Sequence, residues 1–282
     1  MSDAARRSAI AERAARAGGV VARDLFRGDF AVETKAHRND LVTDADHEAQ
    51  EQVLSTLAAE FSTDTYVCEE ADQTDGSIPG VGAVAFADEV PDHGDAWVVD
   101  PVDGTANFAR GIRFWATSVT AVVDGQPVGT ATYLPAERDV YTAGPDSVTL
   151  NGSALAVSER SDLATFAATL VGWWPTEEGP RTTALYRTAA ESFGDVRRFG
   201  CMQGVLALVA AGSLDAAFMP SQPKPWDALG GVYLIRRAGG VATDLEGEPW
   251  HLDSDGLVVS NGLAHDSVLA AVSQAATSGA VD

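Results

Sequence analysis

The sequence predicts an α+β half followed by an α/β half that share one cleft. Two amphipathic helical patterns open the chain, and residues 116–143 then alternate as paired antiparallel strands do. From about residue 150, strand and helix patterns alternate to the end. The 282 residues accordingly divide into 1–148 and 149–282, each long enough to bury a core.

The first helix is predicted over residues 4–27, where Ile10, Ala14, Ala17, Val21 and Leu25 recur at three- and four-residue spacing and Gly28 ends the pattern. A second starts near Thr43 and carries Val53, Leu54, Leu57 and Phe61 on one face. Thr43 followed by Asp46 resembles a capping box with Asp in place of Glu. Short strands are expected at 66–68 and 97–99. Between them, residues 71–95 are rich in Asp, Gly and Pro without a clear period, which reads as a long, mobile surface excursion. Asp124-Gly125 supplies the turn inside the antiparallel region. In the second half, strands are expected at 166–171, 196–199, 214–218 and 257–260. Helices are expected at 182–193 and 202–211, from Trp226 to Gly239-Gly240, and at the end of the chain.

The net charge of −22 argues against a nucleic-acid partner, whose phosphates such a surface repels unless metal ions intervene. Lys35 and Lys224 are the only lysines, the other seventeen basic residues are arginine, and the acids are spread along the chain. This pattern resembles a halophilic proteome, in which concentrated salt screens self-repulsion over a few ångströms. Apolar runs are short and the N-terminal stretch mixes charges, so neither a membrane span nor a signal peptide is expected and the location is expected to be cytoplasmic. Cys68 and Cys201 form no metal-type pair and read as buried, inert thiols.

The strongest local signal is the run WVVDPVDGTANF at residues 97–108. An apolar strand enters a turn holding Asp100 and Asp103; Pro101 fixes φ and Gly104 permits close backbone approach, so such a loop can hold a cation and a phosphate together. Taken alone, an acidic turn of this kind is also an ordinary helix cap. Glu69-Glu70 directly after a strand, and Trp226-Asp227 opening a helix, change that balance.

With these motifs the chain resembles the inositol monophosphatase family of lithium-sensitive phosphatases. The likeness runs from Lys35 to Gly240 through Asn39-Asp40-Leu41-Val42-Thr43-Asp44-Ala45-Asp46, Glu69-Glu70, the 97–108 run, Asn151-Gly152, and Trp226-Asp227 with Gly239-Gly240. It implies a layered α-β-α-β-α sandwich of the sugar-phosphatase type. It also implies that Glu69, Asp100 and the Val102 carbonyl hold one Mg2+ and that Asp100, Asp103 and Asp227 hold a second, with Glu69 touching a third and Mn2+ able to substitute. By the same resemblance Asp46 and Thr105 form a pair beside Glu69 that positions and deprotonates the attacking water. The Gly104 and Thr105 amides bind phosphate, Asp103 and Asp227 also face the substrate, and Lys35 lies on a loop that completes the site. Lithium sensitivity and a homodimer are further implications of the likeness.

Elementary electrostatics agrees. Carboxylates about 4 Å apart repel by roughly 4 kcal/mol per pair at an effective dielectric of 20, so four converging acids require cations. Oxygen-only ligands select magnesium or manganese over zinc.

Glu70 reads as a solvated or neighbouring residue rather than a ligand, Trp226 as packing that orients Asp227, and His37, His47, His93, His251 and His265 as structural or exposed. Four departures from the family bear on the substrate: Arg113 in place of a common proline, a long 71–95 segment, Met219 or Pro220 near the place of a hydroxyl-binding glutamate, and Met202 in place of a small residue.

The expected reaction is hydrolysis of a small polyol or sugar phosphate by metal-activated water. Inositol 1-phosphate and fructose 1,6-bisphosphate lead; histidinol phosphate and 3′-phosphoadenosine nucleotides are the alternatives, the latter disfavoured by the inositol-type Ala106-Asn107-Phe108. A catalytically silent, metal-binding relative would be expected to have lost one of Glu69, Asp100, Asp103, Thr105 or Asp227.

Overall fold

The computed structural model describes residues 2–34, 41–70, 77–78, 82–172 and 179–278. Helix α1 (Asp3–Leu25) is capped by the Ser2 hydroxyl and buries Ile10, Ala11, Ala14 and Ala22. Its end differs from expectation: Arg27, not Gly28, takes the left-handed conformation at φ 65°, and its guanidinium donates to the Gly111 carbonyl at 2.7 Å. Strands β1 (Val32–Thr34) and β2 (Leu41–Thr43) pair antiparallel and lead into α2 (Asp44–Phe61), which opens with the expected capping box.

An eight-stranded sheet follows, in the order β12-β11-β10-β9-β8-β7-β3-β6. Its members are β3 (Thr65–Cys68), β6 (Ala85–Phe86), β7 (Asp95–Asp103), β8 (Ala116–Val123), β9 (Gln126–Leu134), β10 (Asp139–Ala143), β11 (Val148–Leu150) and β12 (Ser153–Ala154), while β4 (Ser77–Ile78) and β5 (Gly82–Ala83) pair apart from it. Part of the 71–95 excursion is therefore strand, and Ile78 is buried. Two-residue strands are too short to leave a period in the sequence. The turn at Asp124-Gly125 has positive φ at both residues, as a tight hairpin with the sheet's twist requires.

The second sheet runs β14-β13-β15-β17-β16. It comprises β13 (Ala167–Leu170), β14 (Asp195–Arg197), β15 (Ala216–Met219), β16 (Val241–Thr243) and β17 (Leu257–Ser260), with α4 (Gly179–Ser192), α5 (Met202–Ala210), α6 (Pro225–Arg237) and α7 (His265–Ser278) among them. β13 is parallel to β14 and β15, and β17 is antiparallel to β15 and β16.

Burial explains the layering. Along β7, Trp97 and Val99 face a core shared with α1 and α2, while Ala96 and Val98 face one shared with α5 and α6. A strand covered on both faces reads as a continuous apolar run, which is why this one stands out in the sequence. The α5/α6 core continues into Ala217, Met219, Leu257 and Val259 of the second sheet, whose far face packs Phe166, Leu170 and Phe218 against Leu185, Ala189, Val268 and Val272 of α4 and α7. The result is the five-layer α-β-α-β-α sandwich. No helix among the described residues is long and apolar enough to cross a membrane.

Close approach of α6 to the larger sheet depends on Gly230, where an added Cβ would lie 2.5 Å from the Thr120 hydroxyl and 2.7 Å from that of Thr130. Both threonines are buried and stiff about χ1. Gly230→Val is expected to cost about 1–3 kcal/mol as overpacking, read as a melting temperature several degrees lower.

Candidate active site

The site is built first by a defect in β7. Asp100 pairs with Ser118 and Asp103 with Ala116, so three steps on β7 match two on β8. Strict alternation would send Asp100 and Asp103 to opposite faces; one extra residue, at a bulge containing Pro101, returns them to the same face. Gly104 then takes φ 90° and opens α3 (Thr105–Ala109). A Cβ at Gly104 would sit 3.0 Å from both Cys201 Cβ and the Gly200 carbonyl, so the loop lies tightly against the start of α5.

Asp227 reaches the same point from the first turn of α6, where Pro225 fixes the entry. Ligand oxygens of Asp100, Asp103 and Asp227 all lie within 4.8 Å of one another. Glu69, at the end of β3 with its N–H donating to the Val99 carbonyl at 3.2 Å, lines the same cleft. Burial raises the Asp100 pKa well above the ordinary value, and the nearby charges of Glu69, Asp103 and Asp227 push it further. Asp227 is raised by burial, then by Glu69 and Asp103, with Lys224 opposing. Among the described residues, buried Asp100 Oδ1 has no hydrogen-bond partner.

Asp46 is fully buried beside this cluster. Its Oδ2 accepts from the Thr43 N–H at 2.8 Å and the Thr43 hydroxyl at 2.5 Å, and its Oδ1 faces the Thr105 hydroxyl at 3.1 Å. Thr105 Oγ1 is also 3.0 Å from the Val102 carbonyl. A hydroxyl has one proton, so donation to Asp46 leaves the carbonyl free to bind a cation. Burial lifts Asp46 to about 6, with Glu70 adding to the rise.

Two features of the site were not legible in the sequence. Glu70 is buried rather than solvated, because the Gln50 side chain grips its backbone at both N–H and carbonyl, each at 3.1 Å. The start of α5 also engages Asp103, whose carboxylate accepts from Met202 N at 3.0 Å, Gln203 N at 2.5 Å and the Cys201 thiol at 2.9 Å. Cys201 is buried as expected but is a working donor, and Gln203 further donates to the Trp226 carbonyl at 2.5 Å, linking α5 to the turn before Asp227. The only hint was a helix predicted to begin at 202, since Cys and Gln are not capping residues. Burial lowers the His265 pKa, and the buried ring bridges Ser260 and Thr243 and is not among the residues that line the cleft. Lys35, His37, Asn39 and Asp40 lie outside the described residues.

The acids floor a cleft of about 800 Å³ whose walls come from both sheets. Against this geometry, the sequence profile described as the inositol monophosphatase family matches residues 3–277. The chain belongs to the inositol monophosphatase family. Among this family member's relatives, the Nus factor SuhB of Pasteurella multocida is 30% identical over 254 residues, covering 89% of this chain and 90% of the relative, and that of Escherichia coli K12 is 30% identical over 258 residues at the same coverage. The solved IMPase of Thermotoga maritima superposes with a TM-score of 0.82 at 24% identity, covering 96% and 97% of the two chains. The suhB protein of Bartonella henselae does so with a TM-score of 0.80 at 25% identity, covering 92% and 95%.

Family membership supports a phosphatase-type function, and the family generally uses Mg2+. The residues present fit such an ion: an all-oxygen donor set, a buried carboxylate oxygen without a partner among the described residues, and an Asp100 carboxyl whose pKa is raised by burial and then by its acidic neighbours.

Proposed function

We propose that this family member is a Mg2+-dependent phosphomonoesterase acting on a small polyol or sugar phosphate, with inositol 1-phosphate and fructose 1,6-bisphosphate the leading substrates. The observation that carries the reading is the convergence of Asp100, Asp103 and Asp227 from distant parts of the chain. Glu69, Asp100, the Val102 carbonyl, Asp103 and Asp227 are assigned to two or three Mg2+ ions, for which Mn2+ can substitute. Bound there, the ions lower the pKa of water and offset charge on the departing oxygen.

The chain's own groups do the rest. Asp46, held by Thr43, accepts the Thr105 proton and leaves the Thr105 oxygen to accept one from the attacking water. A carboxyl near 6 suits transient proton uptake close to neutral pH. The Gly104 and Thr105 amides are assigned to phosphoryl oxygens and Lys35 to the loop that completes the site. A homodimer in the cytoplasm is part of the same reading.

The name Nus factor carried by the relatives favours a second reading, a partner-binding role with a silent site. The intact set Glu69, Asp100, Asp103, Thr105 and Asp227 supports catalysis instead. A panel of inositol 1-phosphate, fructose 1,6-bisphosphate, histidinol phosphate and 3′-phosphoadenosine nucleotides, assayed for phosphate release, decides between them. Turnover of at least one substrate that needs Mg2+ and is abolished by EDTA is expected; no turnover of any would leave the second reading.

A further inference from the structure

Helix α5 is buried almost all round, and among its nine residues Gln203 is the one with a polar side chain. Val205, Leu206, Ala207 and Val209 of the same helix belong to the core between the two sheets, and Gln203 itself is 1% exposed. Its amide donates from Nε2 to the Trp226 carbonyl at 2.5 Å, while Oε1 is buried and has no hydrogen-bond partner among the described residues. With a carbonyl opposite, the amide must present its NH2 end, so the oxygen cannot trade places with the nitrogen. A buried amide oxygen left unpaired is costly, and a methionine would fill the same length of space without it. Packing alone therefore does not account for a glutamine here; the bond its nitrogen makes does.

That bond joins two of the acids. The Gln203 backbone N–H donates to the Asp103 carboxylate at 2.5 Å, and its side chain holds the carbonyl of the residue immediately before Asp227. Contacts advance together along the two helices: Gln203 meets Trp226, and about one turn further on an added Cβ at Gly231 would strike the Leu206 side chain. α5 and α6 thus run side by side in the same sense and bring their first turns to one point. No side chain caps the start of α6 at Lys224, and the Asp227 N–H is held only by the Lys224 carbonyl at 3.1 Å. A first turn so lightly held is prone to fray unless something ties it across to a neighbour.

We infer that Gln203 is a positioning residue for the cation site, fixing the separation of Asp103 and Asp227 by holding the first carboxylate with its backbone and the turn that carries the second with its amide. The inference rests on the Mg2+ reading proposed above. Gln203 is not among the residues that line the cleft, so it acts through the two acids and not on the substrate.

Gln203→Met keeps the length of the side chain and removes the donor and the unpaired oxygen together. Calorimetric titration of Mg2+ into the EDTA-stripped variant is expected to show an affinity about tenfold below that of the wild type, the usual cost of losing a group that orients metal ligands. The melting temperature in EDTA should be unchanged or higher, because an orphaned polar atom has gone. In the Asp227→Asn background the same change should cost little further affinity, since two alterations that act through one ligand are not additive. A packing role would instead add in full. Gln203→Leu repeats these measurements if Gln203→Met does not fold. Wild-type affinity in the variant, a loss that appears only with a lower melting temperature in EDTA, a loss undiminished in Asp227→Asn, or failure of both variants to fold would overturn the inference and leave the Mg2+ reading in place. Absence of saturable Mg2+ binding by the wild type would overturn both.

Discussion

Asp100→Asn is expected to slow phosphomonoester hydrolysis with saturating Mg2+ by a hundredfold or more and, in EDTA, to raise the melting temperature by a few degrees. The two effects have one cause. Asp100 is fully buried, three other carboxylates act on it, and one of its oxygens has no hydrogen-bond partner among the described residues. The charge is a liability to the metal-free fold and is retained for what it binds. An isosteric amide removes the repulsion and the cation ligand together. Were these acids only part of a salt-adapted surface, the substitution would leave turnover nearly unchanged. Steady-state kinetics and thermal melts of one variant check both directions.

The second large effect is a pH dependence of the metal-free protein. Asp46 is raised from 3.8 to about 6 by burial first and Glu70 after; burial raises Asp100, Asp103 and Asp227, with neighbouring carboxylates adding to the rise at Asp100 and Asp227 and hydrogen bonds from the start of α5 opposing it at Asp103. For a carboxyl whose folded pKa exceeds its unfolded value, the folded state binds more protons between the two. Its contribution is therefore full below about 4 and is lost as pH rises through the folded value. For Asp46 alone the loss is of the order of 3 kcal/mol by pH 7. Divalent cations replace the lost protons in the acid cluster, so the gap in melting temperature between Mg2+ and EDTA is expected to widen steadily from pH 5 to pH 8. A gap that stayed constant or narrowed would contradict this account.

How much of the site was visible in the sequence follows from the range of the interactions. Asp100, Asp103 and Gly104 sit in a continuous run whose residue types only make sense as a tight acidic turn, and Thr43 with Asp46 is a local capping pattern; both were readable at once. Asp227 could be placed beside them only through resemblance, because its approach depends on how α6 crosses the larger sheet at Gly230.

The bulge that turns Asp103 toward Asp100 leaves no sequence mark except Pro101. The grip of α5 on Asp103 comes from backbone N–H groups, which every residue carries, and from a cysteine that read as inert. Gln50, which buries Glu70, looks like any polar residue on a helix until the helix is packed. Long elements with a buried face, such as α1 and β7, were legible, whereas β4, β5 and β12 gain their strand character from neighbours rather than from propensity.

The central claim is that acids from distant parts of the chain form one divalent-cation site. Calorimetric titration of Mg2+ into EDTA-stripped, dialysed protein, repeated in buffers of different ionisation enthalpy, tests it most directly. The account predicts saturable binding with proton release near pH 6 to 7, since raised carboxyls must ionise to bind, and a loss of at least tenfold in affinity for Asp227→Asn. Binding without proton release, or with equal affinity in wild type and Asp227→Asn, would contradict it.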